Sequence, residues 1–372
     1  MITEQINWTE AKPAPQLASA KLVLAFGSGS AITDRNIFSH VKSAYPAASI
    51  IFCSTSGEIY NATVLTDSLV TTAIKFNHTQ TRCAKSEIEN MCDSYAVGKR
   101  LATELSAQDL SHVLVFADGL KVNGSDLTRG LCETLPENVA VTGGLAGDKE
   151  SFKNTYVGLN EQPAEGVVVA IGFYGDRLKV GYGSMGGWDP FGPERIVTKS
   201  EGSVLYELDG CSALDLYKKY LGHHAKDLPA SALLFPLCVR TNEEHSLVRT
   251  VLSTDDNKNL MTFAGDLPEG SYARFMRANF DRLIEGASQS ARNSIVPLAA
   301  CQPDFALLVS CVGRRMVLKQ RTEDEVDAVR EIVGQKAAIS GFYSYGEISP
   351  FEHGGDCELH NQTMTVTTFA EV

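Results

Sequence analysis

The chain has 372 residues, of which 44% are apolar and 21% charged, so it can bury a sizeable core in two or three domains. Its formal net charge of -12 argues against a nucleic-acid-binding surface, which needs a basic face. The sequence shows neither the long apolar run of a membrane span nor the basic and apolar regions of a secretory signal. It therefore predicts a cytoplasmic globular protein that binds no nucleic acid and does not insert into a membrane.

The nine cysteines are scattered from Cys53 to Cys357, and no two of them form a C-x-x-C pair. Most lie in apolar runs, which is typical of small, reduced, buried side chains. This pattern favours buried thiols over a zinc site or a disulfide framework.

The first predicted elements follow a short lead-in. Residues 1–20 contain two prolines and little periodicity, and we interpret them as an N-terminal tail. A strand is predicted at 22–26, and the apolar residues that recur every four positions after Asp34 predict a helix. A second strand at 50–52 leads into a turn that contains Gly57 and Glu58.

This order of strand, polar corner, helix, strand and glycine turn recurs twice more. The second copy begins at 113 and the third at 305, each after a predicted amphipathic helix. The three turns align as Thr55-x-Gly57-Glu58, Thr142-x-Gly144 and Ser344-x-Gly346-Glu347. A repeat of this size predicts one supersecondary unit reused within one architecture.

The segments between the repeats give fewer clear signals for helices and strands. A hairpin is predicted from 166–173 and 178–182, and 181–193 reads as a long loop or lid because it is rich in glycine and proline. Ser212 and Gly222 are predicted to cap the two ends of a helix. A long amphipathic helix is predicted to begin near Tyr272.

Together these elements predict an α/β fold with two related halves. Each half is built from repeated strand–helix–strand units, and its mixed sheets are covered by helices.

The candidate chemistry lies at the corners and turns that follow strands. Glycine turns bring backbone N–H groups close to a ligand, and the alternative is a purely structural turn whose Glu pairs with nearby backbone. Arg314 and Arg315 follow a strand and can hold a carboxylate, or else form ordinary surface salt bridges. We find no P-loop, zinc-protease motif, nucleophile elbow or defensible set of acid, base and nucleophile.

Several motifs together resemble the FIST N-terminal and C-terminal domains. The N-terminal resemblance rests on residues 53–59 and 142–148, and the C-terminal one on 310–315, 341–348 and 359–363. It implies an N-terminal FIST domain over 21–210 and a C-terminal FIST domain over 211–372.

The resemblance implies a non-enzymatic sensory protein in signal transduction that binds small ligands, with amino acids as proposed ligands. Some stand-alone members, the NosP group, bind haem b, sense nitric oxide and modulate a partner histidine kinase. The residues predicted to contact a ligand are Ser54, Thr55, Gly57, Glu58, Arg314, Arg315, Tyr343, Gly346, Glu347 and Asn361. His360 is the predicted haem ligand because it lies inside a family motif, and that position is equally consistent with a structural role.

Three functions therefore stay open at this point. The leading hypothesis is a cytoplasmic ligand sensor that acts through a partner protein, with haem as a candidate ligand. The second is an amino-acid-binding FIST module without haem. The third is a hydrolase-like enzyme that uses the Thr55–Glu58 or Ser344–Glu347 turn, and the missing nucleophile–base set counts against it.

Overall fold

The computed structural model describes residues 1–9, 15–228, 230–240, 246–299, 301–351, 354–355 and 357–372. Within them, the helices are α1 (Gly29–Ile32), α2 (Arg35–Ala44), α3 (Ser94–Leu105), α4 (Gly124–Cys132), α5 (Ala213–Leu221), α6 (Phe280–Ile295), α7 (Val312–Leu318) and α8 (Thr322–Val333). The strands of the first half are β1 (Ile2–Asn7), β2 (Leu22–Gly27), β3 (Ser49–Ser54), β4 (Glu58–Tyr60), β5 (Thr63–Leu65), β6 (Leu69–Lys75), β7 (Gln80–Glu87), β8 (Leu110–Ala117), β9 (Ala140–Leu145), β10 (Val157–Leu159), β11 (Val167–Tyr174) and β12 (Leu178–Met185). Those of the second half are β13 (Trp188–Glu201), β14 (Val204–Leu208), β15 (Cys211–Ser212), β16 (Leu237–Arg240), β17 (Ser246–Arg249), β18 (Val251–Asp255), β19 (Leu260–Phe263), β20 (Tyr272–Ala278), β21 (Phe305–Cys311), β22 (Ala338–Ser344), β23 (Gly346–Pro350), β24 (Cys357–His360) and β25 (Met364–Glu371).

Three sheets repeat the same strand order. Each contains a parallel pair joined by helical crossover, namely β2 and β3 in unit 1, β8 and β9 in unit 2, and β21 and β22 in unit 3. An antiparallel strand flanks the first member of each pair, and a further antiparallel strand lies outside it. The predicted α/β class with repeated units, mixed sheets and covering helices is therefore confirmed.

The three units exchange strands in a ring. The strand β4, which follows unit 1, pairs with β22 of unit 3, and β23, which follows unit 3, pairs with β9 of unit 2. The strand β10, which follows unit 2, pairs with β3 of unit 1. This cyclic exchange covers one edge of every parallel pair and gives the three units a pseudo-threefold arrangement.

The faces of the three sheets that turn towards each other form a shared core. Phe26 of unit 1, Phe116 of unit 2 and Phe342 of unit 3 are buried there, with ring centroids 4.8 to 6.0 Å apart. Helices cover the outer faces, where α3 and α4 pack on the unit 2 sheet and α6 and α8 on the unit 3 sheet. Burial of large apolar side chains in this centre stabilises the ring.

A smaller β-rich insert lies between β12 and α6. It runs from β13 to β20 and includes α5. The predicted caps of α5 are confirmed, because the Ser212 side chain accepts a hydrogen bond from the Asp215 backbone N–H and Gly222 has φ +57°. The insert has its own apolar core.

The predicted N-terminal tail is wrong. Residues Ile2–Asn7 form β1, which pairs antiparallel with β6 along its whole length. This edge strand has only two apolar residues, Ile2 and Ile6, and none of its side chains is fully buried, so it leaves little apolar signal in the sequence. The predicted boundary between the two domains at residue 210 stays a prediction. Strands from both sides of this boundary pair within the same sheets.

The predicted loop at 181–193 is also wrong, because β12 and β13 occupy most of it. Its glycines have a packing role. A Cβ at Gly181 would overlap the carbonyl oxygen of Ser294, and one at Gly183 would overlap that of Ser290. Helix α6 therefore lies directly against β12, and this contact selects glycine.

Two further predictions of local structure fail where the chain changes sheets. The predicted hairpin does not form, because β11 pairs with β7 and β8 whereas β12 pairs with β25. The residues from Tyr272 to Ala278 form strand β20, and α6 begins only at Phe280. Short apolar runs do not distinguish a strand from a buried helix end.

Candidate functional site

The turns after units 1 and 3 have the same hydrogen-bonded core. In the first, Thr55 Oγ1 donates to Glu58 Oε1 at 2.5 Å and Ser68 Oγ donates to Glu58 Oε2 at 2.6 Å. In the second, Ser344 Oγ donates to Glu347 Oε1 at 2.6 Å and Thr363 Oγ1 donates to Oε2 at 3.0 Å. Each glutamate thus joins its own turn to the start of the next long strand.

The equivalent turn of unit 2 was placed wrongly by sequence. Thr142 lies inside β9, paired with Leu114, and its hydroxyl is 2.9 Å from Nε2 of His112. The parallel pairs instead end at Ser54, Leu145 and Ser344, so the turn of unit 2 begins at Ala146. Threonine and glycine recur too often to set the register, so only the paired backbone reveals this position.

Burial controls the charge of the two glutamates. Glu58 is 1% exposed and Glu347 is 0% exposed. Desolvation raises the pKa of Glu58, and it raises the pKa of Glu347 to about 8 in spite of hydrogen bonds from Ser344 and Thr363. Both carboxyl groups therefore lie inside the protein and are hydrogen-bonded within their own turns.

Stability should fall as the pH rises through the titration of Glu347. Its folded pKa of about 8 lies above its ordinary value of 4.5, so the folded state holds the proton more tightly. The stabilisation is complete below pH 4.5 and is lost as pH rises towards 8. We expect Glu347→Gln to remove this slope, which is at most about 1.4 kcal/mol per pH unit, in urea unfolding.

The exposed residue Glu104 supplies the matched control for that experiment. Glu104→Gln should leave the dependence of the unfolding free energy on pH as it is in the wild type. A Glu347→Gln protein with the wild-type slope would contradict the assigned role of Glu347.

Arg314 and Arg315 are neighbours in α7 with opposite environments. Arg314 is 0% exposed, and its Nη2 and Nε both donate to Glu325 Oε2, at 2.8 and 3.0 Å. It also donates to the carbonyl oxygens of Gly186 at 2.8 Å and Leu283 at 2.7 Å. These four bonds use the Arg314 side chain inside the protein, whereas Arg315 lines a cleft.

Arg315 reaches from unit 3 across to the turn of unit 1. Its Nη1 donates to the Ser56 carbonyl oxygen and its Nη2 to Thr66 Oγ1 at 2.5 Å. The guanidinium carbon lies 5.5 Å from the ring centroid of Tyr343. Gly57 has φ +140°, and a Cβ there would overlap the guanidinium, so glycine is required for this contact.

Arg315 forms part of the wall of a cleft of about 800 Å³ between units 1 and 3, which we call the Arg315 cleft. Its lining residues are Ser56, Thr66, Lys149, Glu150, Ser151, Leu234, Val312, Arg315, Met316, Lys319 and Thr322. Among these are three cations and one acid, in a protein whose formal net charge is -12. Lys149 forms an ion pair with Asp67 at 2.5 Å, so the positive charge of the cleft rests on Arg315 and Lys319, which lie with several hydroxyl groups at the carboxyl ends of parallel strands.

The loop after β9 supplies the wall of the cleft that carries Lys149. The Asp148 carboxylate accepts hydrogen bonds from the backbone N–H groups of Phe152, Lys153 and Asn154 at 2.8 to 3.0 Å, and another from the Tyr345 hydroxyl. Lys149 has φ +67°, which is an uncommon conformation for a residue with a side chain. Strain of this kind persists where the surroundings over-determine it, as they do here.

The other two spaces between neighbouring units of the ring are smaller and have different lining residues. Between units 1 and 2 lies a polar cleft of about 380 Å³ that Asp67, Asp148 and Lys149 help to line. Between units 2 and 3 only about 90 Å³ remains, because residues of the insert such as Leu252 and Phe263 line that space. The Arg315 cleft is thus the largest and most cationic of the three related positions.

Several predicted ligand contacts lie elsewhere. Ser54 is buried, donates to the Gly147 carbonyl oxygen at 2.9 Å and accepts from the Tyr156 N–H at 2.9 Å. Tyr343 is buried and donates to Glu325 at 2.7 Å. Asn361 is buried and donates to the His360 carbonyl oxygen at 3.0 Å. These contacts hold secondary structure together.

Gly346 likewise has a packing role, because a Cβ there would lie 2.9 Å from a methyl of Leu359. Thr55 lines the cleft between units 1 and 2, although it is only 1% exposed.

His360 does not fit an axial haem ligand. Its ring is 2% exposed, and its Nε2 lies 2.8 Å from the carbonyl oxygen of Ser349. The Phe351 ring lies beside it, with centroids 5.7 Å apart. A haem iron would have to displace this contact and open a space for the macrocycle. His353 lies outside the described residues.

Sequence reasoning missed Ser56, Thr66, Lys149 and Lys319. Ser56 is the variable position of the predicted Thr55-x-Gly57 turn, and Lys149 directly follows the quoted motif that ends at Asp148. The positions of Ser56 and Lys149, inside or next to these two motifs, were the sequence signal that could have identified them. Within the described ranges, no helix is long and apolar enough to span a membrane, and no group of three or more His, Cys, Asp or Glu side chains could hold a metal ion.

The architecture described above is that of a mixed α/β protein with three repeated units, and comparison with known proteins places it in a family. The FIST N domain model matches residues 21–211 and the FIST C domain model matches residues 213–350. The chain belongs to the FIST family. FIST domains imply a sensory role in signal transduction with small ligands, and they are generally non-enzymatic.

Two individual proteins are similar to this chain. An uncharacterised protein of Methanocaldococcus jannaschii is 25% identical over 290 residues, which are 68% of this chain and 52% of that protein. The chain thus spans about half the length of this curated relative. A crystal structure of cyanuric acid hydrolase from A. caulinodans covers 100% of this chain and 99% of its own, with a TM-score of 0.38 and 8% identity.

Proposed function

We propose that this protein is a sensor for a small carboxylate ligand of the amino-acid class, which binds in the Arg315 cleft. One observation carries the proposal: beside Lys149, which is paired with Asp67, the cations Arg315 and Lys319 and the acid Glu150 line a cleft of about 800 Å³ in an otherwise acidic protein. Ligand pockets for small molecules are typically about 300–1,000 Å³. An amino acid presents a carboxylate to cations and an ammonium to an acid, and Glu150 supplies that acid.

Arg315 is the residue on which recognition depends in this proposal. The described residues engage two of its five N–H donors, through Ser56 and Thr66. The contacts to Ser56 and Thr66 hold the planar guanidinium in one orientation, and the remaining donors can meet a carboxylate. Lys319 lies in the same lining and adds a second, more mobile cation.

The position of the cleft supports a signalling role. Arg315 and Lys319 belong to unit 3, whereas Ser56 and Thr66 belong to unit 1 or the strands that follow it. A ligand that bridges both sides would favour one relative arrangement of the two units, and differential binding is how a ligand shifts a conformational equilibrium. We propose that a partner protein, such as a histidine kinase, reads this arrangement in the cytoplasm.

The experiment is a thermal-shift screen of the whole protein against the common amino acids and succinate. Free ligand at about one hundred times its Kd should stabilise the folded state by about 2.7 kcal/mol, which raises Tm. The shift should shrink as sodium chloride is added, because salt screens attraction between the cleft and the anion. If no carboxylate raises Tm, this proposal fails.

The enzymatic alternative has less support than the sensor. Its hydroxyl–carboxylate pairs, Thr55 with Glu58 and Ser344 with Glu347, are all at most 1% exposed. Each hydroxyl donates to its own glutamate within the turn. A nucleophile must reach a substrate, so these pairs suit a structural role better.

Haem binding and nitric oxide sensing stay predictions of the family resemblance. Haem supplies a gas-binding iron when present, and the surroundings of His360 do not fit it. An absorption spectrum of protein purified with a haem precursor would test the prediction directly. A stoichiometric Soret band that shifts with nitric oxide and survives His360→Ala would place haem on another residue.

A further inference from the structure

Two cysteines that are distant in the sequence meet beside a second cleft. Cys132 is the last residue of α4 and Cys357 is the first residue of β24. Both are partly exposed, and both line a cleft of about 450 Å³. A hydrogen bond joins their side chains, and the Cys357 thiol also donates to the carbonyl oxygen of Val141 at 3.0 Å.

This contact differs from the buried, isolated thiols that the sequence predicts. The two side chains are hydrogen-bonded, and a disulfide requires the sulfur atoms to approach to about 2 Å, which side-chain rotation can supply when the Cβ atoms are suitably placed. The cleft gives small molecules a route to both atoms. Cys53 and Cys311, in contrast, are buried.

We propose that Cys132 and Cys357 form a reversible disulfide, so that this pair is a redox modification site whose oxidant is a hydroperoxide. The Cys132 sulfur attacks the peroxide oxygen, the O–O bond breaks, and a sulfenic acid and water or an alcohol result. The Cys357 sulfur then attacks the sulfenic sulfur and forms the S–S bond, while the hydroxyl leaves as water with the thiol proton. Overall, the two thiols lose two electrons and the peroxide gains them.

The surroundings assign the order of the two steps. Cys357 Sγ donates its proton to the carbonyl oxygen of Val141 at 3.0 Å, which holds this sulfur in the thiol form. Cys132, in contrast, faces a mixed lining that contains Glu133 and Arg129, the latter paired with Asp126 at 2.8 Å. Burial raises the pKa of the Cys357 thiol well above its ordinary value. Cys132 therefore reacts with the oxidant, and Cys357 resolves the sulfenic acid.

The bond would link two parts of the ring. Helix α4 belongs to unit 2, and β24 forms a hairpin with β23, the strand that unit 3 gives to the sheet of unit 2. Oxidation would thus attach the donated hairpin covalently to the unit that receives it. A cross-link between residues so far apart in the chain restricts the unfolded state strongly.

Peptide mapping of the oxidised protein tests this site. Tryptic peptides 130–149 and 337–372 contain one cysteine each, Cys132 and Cys357. After treatment with hydrogen peroxide, we expect a linked pair that is lighter by two hydrogen atoms than the two peptides together. Two titratable thiols per chain should be lost and should return with dithiothreitol.

The controls separate this bond from other oxidation. The exposed residues Cys92 and Cys211 are replaced by Ser to prevent bonds between chains. In that background Cys132→Ser should abolish the linked pair, and Cys83→Ser should leave it intact. The linked peptides are measured in the background that keeps both Cys132 and Cys357, so this result does not depend on whether Cys132→Ser or Cys83→Ser folds. Absence of the linked peptides, with Cys132 either unmodified or oxidised to sulfinic acid, would overturn the proposal.

Discussion

Arg314→Ala is expected to destabilise the protein by about 3–5 kcal/mol, because it removes one partner of a buried ion pair. Glu325, which is 0% exposed, would lose the guanidinium that lies 2.8 Å away. The carbonyl oxygens of Gly186 and Leu283 would lose their donors as well. Urea unfolding should show a lower midpoint.

The loss extends beyond one pair, because Glu325 is the centre of a buried network. Its other carboxylate oxygen accepts from Ser310 at 3.1 Å and from Tyr343 at 2.7 Å. Ser310 is in β21 and Tyr343 in β22, so the network attaches α7 and α8 to the parallel pair of unit 3. An unpaired charge in this position weakens the whole unit.

Two controls isolate the burial effect. Arg321→Ala removes an exposed arginine that pairs with Asp324 at 2.8 Å, and it should cost less than about 1 kcal/mol. The double variant Arg314→Met/Glu325→Met removes both charges and should recover much of the lost stability. If Arg314→Ala is as stable as Arg321→Ala, the assigned role is incorrect.

Arg315→Ala is expected to weaken a carboxylate ligand by about 1.5–3 kcal/mol, the scale of hydrogen bonds to charged groups. This corresponds to roughly a tenfold to hundredfold rise in Kd. Isothermal titration with the amino acid that gives the largest thermal shift measures it. The side chain is partly exposed and has fewer internal bonds than Arg314, so its removal should cost much less stability.

Arg315→Lys is the informative companion variant. Lysine keeps the positive charge but lacks the planar fork that spans Ser56 and Thr66 and meets a carboxylate with two parallel bonds. We expect its Kd to lie between those of the wild type and Arg315→Ala. An unchanged Kd in both variants would show that the ligand does not contact this residue.

The site was only partly predictable. The turn motif led to Thr55, Gly57 and Glu58, and the strand-end arginines led to Arg315. Neither motif shows which side of the turn is buried. Glu58 points inward to Ser68, whereas the Ser56 carbonyl oxygen points outward to Arg315. That choice depends on how unit 1 meets unit 3.

The sequence by itself determined the α/β class, the repeated unit and the limits of some helices. Local chemistry accounts for these results. The spacing of apolar residues predicts α3, and Ser212 and Gly222 cap α5 through contacts with their own neighbours. Such information lies within a few residues of the element that it specifies.

Only the tertiary structure decided the ring and the site. Strands β4, β10 and β23 pair with units other than the ones that they follow, and no local pattern encodes a distant partner. The same limit applies to the glycines of β12, which are selected by α6. It applies equally to Arg314 and Arg315, because adjacent residues of a helix point in different directions. Arg314 therefore places its guanidinium against Glu325 in the core, and Arg315 places its own in the cleft.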